Sequence, residues 1–240
     1  MAKIKKSVGD NIITNNASWS FSGSVARKFI PHIEKSVPLY NECHELILDY
    51  SDFFIKNGSV CYDIGCSNGN LLFKLSSHNS QRQNVKFIGL DVEKEMIKYA
   101  SENFKRPNII FKNKDFLKTQ CQKSDFMVSF YTAQFVHAKD RLHFFQKIFE
   151  ALNWGGAFLL FEKTRASDAR FQDISNAVYN EFKLKKGFQV NEIFEKTRSL
   201  KGILDPFSVK GNIDLLELAG FRDISTIFSY ITFTGWLIIK

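Results

Sequence analysis

Between residues 59 and 163 short apolar runs alternate with amphipathic stretches, and this rhythm constrains the fold more than any other feature of the chain. SVCYDI (59–64), VKFIGLD (85–91), NIIFKNKD (108–115), DFMVSFYTAQFV (125–136) and AFLLFEK (157–163) each read as a strand, the fourth leaving into a loop. NLLFKLSS (70–77), KEMIKYASENF (94–104) and DRLHFFQKIFEAL (140–152) lie between them with apolar residues at helical spacing. Strands that return through helices run parallel, since a tight hairpin cannot join a parallel pair. The expectation is an α/β, Rossmann-like fold on a mostly parallel seven-stranded sheet, closed by an antiparallel C-terminal hairpin from DISTIFSYITF and GWLIIK.

The flanks complete this layout. Val25, Phe29, Ile30 and Ile33, then Leu46, Ile47, Tyr50 and Phe54, recur at helical spacing on either side of Pro38, which predicts two helices before the first strand. Residues 164–210 are polar and helical and form an insert before a helix over 211–221 that ends at Gly220. Residues 1–20 are polar and basic without periodicity, and are expected to form a mobile basic arm. The remainder, 21–240, contains no linker-like stretch and reads as a single domain carrying the insert at about 164–210.

Composition narrows the function classes. Lys and Arg number 33 against 25 Asp and Glu, a net charge of +8, which suits an anionic partner and leaves room for nucleic-acid contact without requiring it. Cys43, Cys61, Cys66 and Cys121 form no C-x-x-C pair and the histidines no H-E-x-x-H, so neither a metal nor a disulfide framework is expected. The amino terminus lacks an apolar signal core and no apolar run reaches the length of a membrane span, so the chain is expected in the cytoplasm, off the membrane.

Three features point to a nucleoside ligand at the carboxyl ends of the parallel strands. The first is Asp63-Ile64-Gly65-Cys66-Ser67-Asn68-Gly69 between strand and helix, where the glycines let the backbone turn sharply and approach a ligand. It is neither G-x-G-x-x-G nor a Gly-Lys-Ser/Thr loop, so a ligand without a pyrophosphate fits better. The second is Asp91, ending the next strand, where a carboxylate can accept both hydrogen bonds of a ribose diol; the third is Asp115, placed to accept from an adenine amine. Carboxylates at three successive strand ends match S-adenosylmethionine, whose sulfonium and amino groups are cationic and welcome an acid such as Asp63.

The sequence resembles the class I S-adenosylmethionine-dependent methyltransferase superfamily and, within it, the carboxy-S-adenosyl-L-methionine synthase family, from about Phe21 to Lys240. The marks are Ser36-Val37-Pro38-Leu39-Tyr40, Tyr62 to Ser67, Gln134-Phe135, Asp140-Arg141, Glu162-Lys163, and the segment from Phe182-Lys183 through Gly187-Phe188 and Glu192-Ile193 to Arg198. The resemblance implies that Tyr40, Asp63, Gly65, Cys66, Ser67, Asp91, Val92, Asp115, Phe116 and Phe130 line a site for S-adenosylmethionine or its carboxylated form, without a metal. It implies that Arg198 is catalytic, pairing with the carboxylate added to the cofactor methyl, for which a guanidinium is suited because it offers two parallel charge-assisted bonds.

The activity so implied converts S-adenosylmethionine and prephenate to carboxy-S-adenosylmethionine and phenylpyruvate, for modification of the tRNA wobble uridine, in a homodimer whose contact is expected in the insert. Two departures stand out: Val92 and Phe130 occupy positions where the family often has Asn, which removes two amides from the ligand site. Two other functions remain open to this sequence. One is an ordinary methyltransferase acting on a small molecule or RNA; the other is a catalytically silent protein that binds a nucleoside. The Phe130-Tyr131-Thr132-Ala133 corner is unlike the Asn/Asp-Pro-Pro-aromatic corner of DNA amino-methyltransferases and disfavours that subclass.

Overall fold

In the computed structural model, residues 6–9, 12–21 and 25–240 are described. Two short strands, β1 (Lys6–Ser7) and β2 (Ile13–Thr14), pair antiparallel. The helices α1 (Val25–Ser36) and α2 (Tyr40–Phe54) follow, separated at Pro38 as expected. Then come β3 (Val60–Ile64), α3 (Asn70–His78), β4 (Lys86–Asp91), α4 (Lys94–Asn103), β5 (Ile109–Asn113), β6 (Ser124–Phe130), α5 (Arg141–Ala151) and β7 (Leu152–Lys163). The insert is α6 (Ala169–Lys185) and α7 (Val190–Ser199), followed by α8 (Val209–Leu218) and the hairpin β8 (Asp223–Tyr230) and β9 (Phe233–Ile239).

The seven-stranded sheet has the order β5-β4-β3-β6-β7-β9-β8, with β9 antiparallel to both its neighbours and the other pairs parallel. The chain builds outward from β3 through β4 to β5, then returns to place β6 on the other flank of β3. Loops leaving β3 and β6 therefore diverge, and open a crevice at their carboxyl ends.

Residues alternating along the strands feed two cores, one on each face of the sheet. Cys61, Phe87, Phe126 and Leu159 meet Ile47 of α2 and Leu72 and Leu75 of α3. Tyr62, Ile88, Met127 and Phe158 meet Phe144, Phe145 and Ile148 of α5 and Leu216 of α8. With both faces covered, the central strands are apolar throughout, which is why they appear in sequence as continuous runs.

The amino-terminal expectation is corrected. Val8, Ile12 and Trp19 are buried with Met96 of α4, and the backbone N–H groups of Ala17, Ser18 and Trp19 donate to the carbonyls of Arg198 and Ser199 at 3.1–3.2 Å. The described residues of the expected arm are thus held to α7 by backbone hydrogen bonds and packed against Met96 of α4 by a few apolar side chains too widely spaced to form a period; residues 1–5, 10 and 11 lie outside the described residues.

Candidate active site

Above the carboxyl ends of β3, β4 and β6 lies a cavity of about 540 Å³, roofed by Trp19 and Phe21, by Phe29, His32 and Ser36 of α1, and by Tyr179 and Lys196 of the insert. Its floor is the loop after β3. Gly65 has φ +74° and Ser67 φ +49°, and the N–H groups of Gly65 and Cys66 both donate to Leu90 O at 2.7 and 3.0 Å. A Cβ at Gly65 would collide with the Thr132 side chain from the loop after β6, so the glycine lets the two diverging loops touch.

Asp63 is buried at the end of β3, and its Oδ2 has no hydrogen-bond partner. Burial, reinforced by the charge of Asp91, pushes its carboxyl up to about 8. A buried acceptor without a donor, facing a cavity, is suited to a cationic ligand group. Asp91 is differently placed: Oδ2 accepts from Ser67 N–H and Oδ1 from Glu93 N–H, both at 2.8 Å. Burial raises its carboxyl and these backbone donors oppose the rise. Asp91 therefore holds the glycine loop to the start of α4 while facing the cavity. Asp115 caps the turn after β5 by accepting from Leu117 N–H at 2.9 Å, and Phe116 beside it packs edge-on against Phe144.

Tyr40, Cys66, Val92 and Phe130 also line the cavity. Val92 is 64% exposed at the rim, and its carbonyl accepts from the Asn113 amide. Phe130 puts a ring where an amide was the family expectation, packing against Tyr40, His44 and Tyr131 with centroids 4.5–5.3 Å apart. Within this aromatic cluster burial lowers the His44 imidazole to about 3, so it is neutral.

Arg198 is the exception. It is exposed, its guanidinium lies over the Phe194 ring, and it does not line the cavity. The insert instead brings in Lys196, whose ammonium donates to Ser36 Oγ at 2.8 Å and contacts the His32 ring. From β7 comes Lys163, which sequence reasoning marked for resemblance but not as a site residue. Tyr179 and Thr132 were also missed. The legible signal for Lys163 was a lysine ending an otherwise apolar strand run, at the carboxyl edge where the crevice opens.

Two of the marked motifs prove to be scaffolding. Arg141 donates to the carbonyls of Ala133, Val136, Gln134 and Asp205, which ties the loop after β6 to the insert. Gln134 bridges the same loop to β7 through Tyr131 O and Lys163 N–H.

Comparison with known proteins bears on the family and the fold. A methyltransferase-domain family model matches residues 55–206. Carboxy-S-adenosyl-L-methionine synthase of Staphylococcus epidermidis is 35% identical over 227 residues, covering 94% of this chain and 99% of that protein. The protein of the same name from Nautilia profundicola is 30% identical over 224 residues, covering 92% and 94%. Among solved structures, human N-acetylserotonin methyltransferase in complex with SAM superposes with a TM-score of 0.63 at 17% identity, over 91% of this chain and 56% of that one. An Aquifex aeolicus SAM-dependent methyltransferase gives 0.59 at 18% identity, over 92% and 99%. At these identities the structural likeness concerns the fold.

Proposed function

From the premise that this chain belongs to the S-adenosylmethionine-dependent methyltransferase family, with carboxy-S-adenosyl-L-methionine synthases among its relatives, we propose that it carboxylates S-adenosylmethionine at the expense of prephenate. The observation that carries the reading is the polarity of one cavity. Asp63, Asp91 and Asp115 line it at the ends of β3 to β5, and Lys163 and Lys196 line it from β7 and α7. A cationic sulfonium ligand and an anionic co-substrate would each find its complement there.

The bound cofactor supplies a sulfonium-activated methyl group, which exchanges one proton for the carboxyl lost from prephenate, whose ring hydroxide leaves and takes up that proton as water; phenylpyruvate is the other product. The work of the protein is to hold and shield. Asp63 offers its unpartnered oxygen to a cationic group, Asp91 and Asp115 face the nucleoside, and the aromatic roof of Trp19, Phe21 and Phe29 excludes water. The role expected of Arg198 passes in this reading to the cavity lysines.

The product would serve tRNA wobble-uridine modification in the cytoplasm. A second copy of the chain is proposed to cover the apolar face of the insert, where Phe171, Ile174 and Val178 of α6 and Val190 and Phe194 of α7 are exposed. No helix among the described residues is long and apolar enough to cross a membrane.

The experiment is to identify by mass the ligand carried through purification, and then to incubate the protein with S-adenosylmethionine and prephenate. Carboxy-S-adenosylmethionine with phenylpyruvate is the expected result. Plain cofactor in the purified protein, with no phenylpyruvate formed, would make ordinary methyl transfer the better reading.

A further inference from the structure

Three motifs marked in the sequence, at Ser36, Lys163 and Lys183, converge on one residue they did not include. Tyr179 of α6 donates its hydroxyl to Ser36 O at 2.7 Å, and the ammonium groups of Lys163 and Lys183 each lie 4.4 Å from the centre of its ring. Lys163, Tyr179 and Ser36 line the cavity, with Lys183 buried beside them. Among the described residues neither lysine has a carboxylate in ion-pair range. Glu162, although adjacent in sequence, lies on the opposite face of β7, in the field of Arg141.

Burial lowers both ammonium groups to about 8, and neighbouring lysines add to the effect: Lys201 acts on Lys163, and Lys163 on Lys183. Two desolvated cations sharing one ring and lacking an anion are costly to keep unless something anionic binds there. Their surroundings say what kind of anion. Phe233, the partner of Lys163 across β9, packs edge-on against both Tyr179 and Tyr131, and all three rings line the cavity. The place is also apart from the acids. Leu159 is level with Asp63 across the sheet, and Lys163 lies four residues beyond Leu159, on the second strand over. That is ~10 Å sideways and ~13 Å further along the strand direction, room for a second molecule beside a cofactor.

We infer that Lys163, seconded by Lys183 across Tyr179, forms the subsite for a carboxylate of the co-substrate, and that the adjoining rings select a co-substrate bearing a ring of its own. This rests on the proposed function for the identity of that co-substrate, but not for the existence of the subsite.

The test uses the full chain loaded with S-adenosylhomocysteine, with phenylpyruvate and its uncharged methyl ester as probes in calorimetry. Wild type should prefer the acid over the ester by at least about tenfold, the scale of one hydrogen bond to a charged group. Lys163→Met should abolish that preference, leave S-adenosylhomocysteine affinity unchanged, and raise the melting temperature of the ligand-free protein by removing an unpaired buried charge. Lys163→Arg should keep part of the preference. A wild type without preference, or a Lys163→Met protein that retains it, overturns the inference. A wild type that shows the preference but forms no carboxylated cofactor from prephenate leaves the subsite standing and refutes the proposed reaction.

Discussion

Replacing Asp63 by Asn tests the electrostatics of the site, because the structure sets both the size and the pH dependence of the effect. The ligand-free carboxyl titrates near 8, so at pH 7 about one molecule in ten carries the charge. Binding a cation there at pH 7 must first ionise the group, at about 1.4 kcal/mol for one pH unit. A charge-assisted hydrogen bond returns about 1.5–3 kcal/mol. At pH 9 the ionisation cost is gone and the whole bond is available. Asp63→Asn should therefore bind S-adenosylmethionine about 10- to 150-fold more weakly than wild type at pH 9, with the gap about tenfold smaller at pH 7.

Titration calorimetry of both proteins at the two pH values measures this directly, and taking their ratio cancels any titration of the ligand's own amino group. Stability provides an independent check of sign. A carboxyl whose pKa is raised on folding contributes stability fully below its unfolded value of 3.8 and loses it as pH rises through about 8. Ligand-free wild type should accordingly lose stability over that window more steeply than Asp63→Asn. Equal affinity ratios at pH 7 and 9, or an Asn variant as tight as wild type at pH 9, would show that no cation meets Asp63.

Three further outcomes follow from the geometry. Asp91→Ala removes the acceptor of two backbone donors, so it should weaken cofactor binding at least about tenfold and also lower unfolding free energy in urea by about 1–3 kcal/mol; loss of affinity with unchanged stability would mean that the loop does not depend on it. Gly65→Ala should lose about 1–2 kcal/mol from its left-handed backbone and more from contact with Thr132, and adding Thr132→Ala should restore only the second part, as read by thermal melts. Ile174→Glu should shift the protein from dimer to monomer in light scattering without changing cofactor affinity, and a wild type already monomeric at high concentration would remove the basis for a covered insert face.

What could be read from the sequence divides along a physical line. The central strands and the helices between them were legible because each is bounded locally: apolar period, turn glycines and terminal acids all lie within a few residues of one another. The strand-end acids were legible for the same reason, since topology alone carries the ends of β3, β4 and β5 to one edge of the sheet. The docking of Val8, Ile12 and Trp19 was not, because it depends on Met96 and on the carbonyls of α7, far along the chain. Arg198 turns away from the cavity of its own chain for a helical reason. Arg198 and Lys196 are two residues apart, and two residues on an α-helix turn a side chain by about 200°, from one face to nearly the opposite one. Resemblance pointed to the guanidinium, whereas the burial of Ile193 and the docking of Lys196 on Ser36 and His32 fix which face of α7 meets the cavity. Lys163 escaped notice because its significance lies in the lack, among the described residues, of an anionic partner. A sequence shows which charges a chain carries, but an uncompensated charge is a property of the fold, and it is that lack, beside a ring of α6 and in the same cavity as the strand-end acids, that turns a strand-terminal lysine into a candidate for holding substrate.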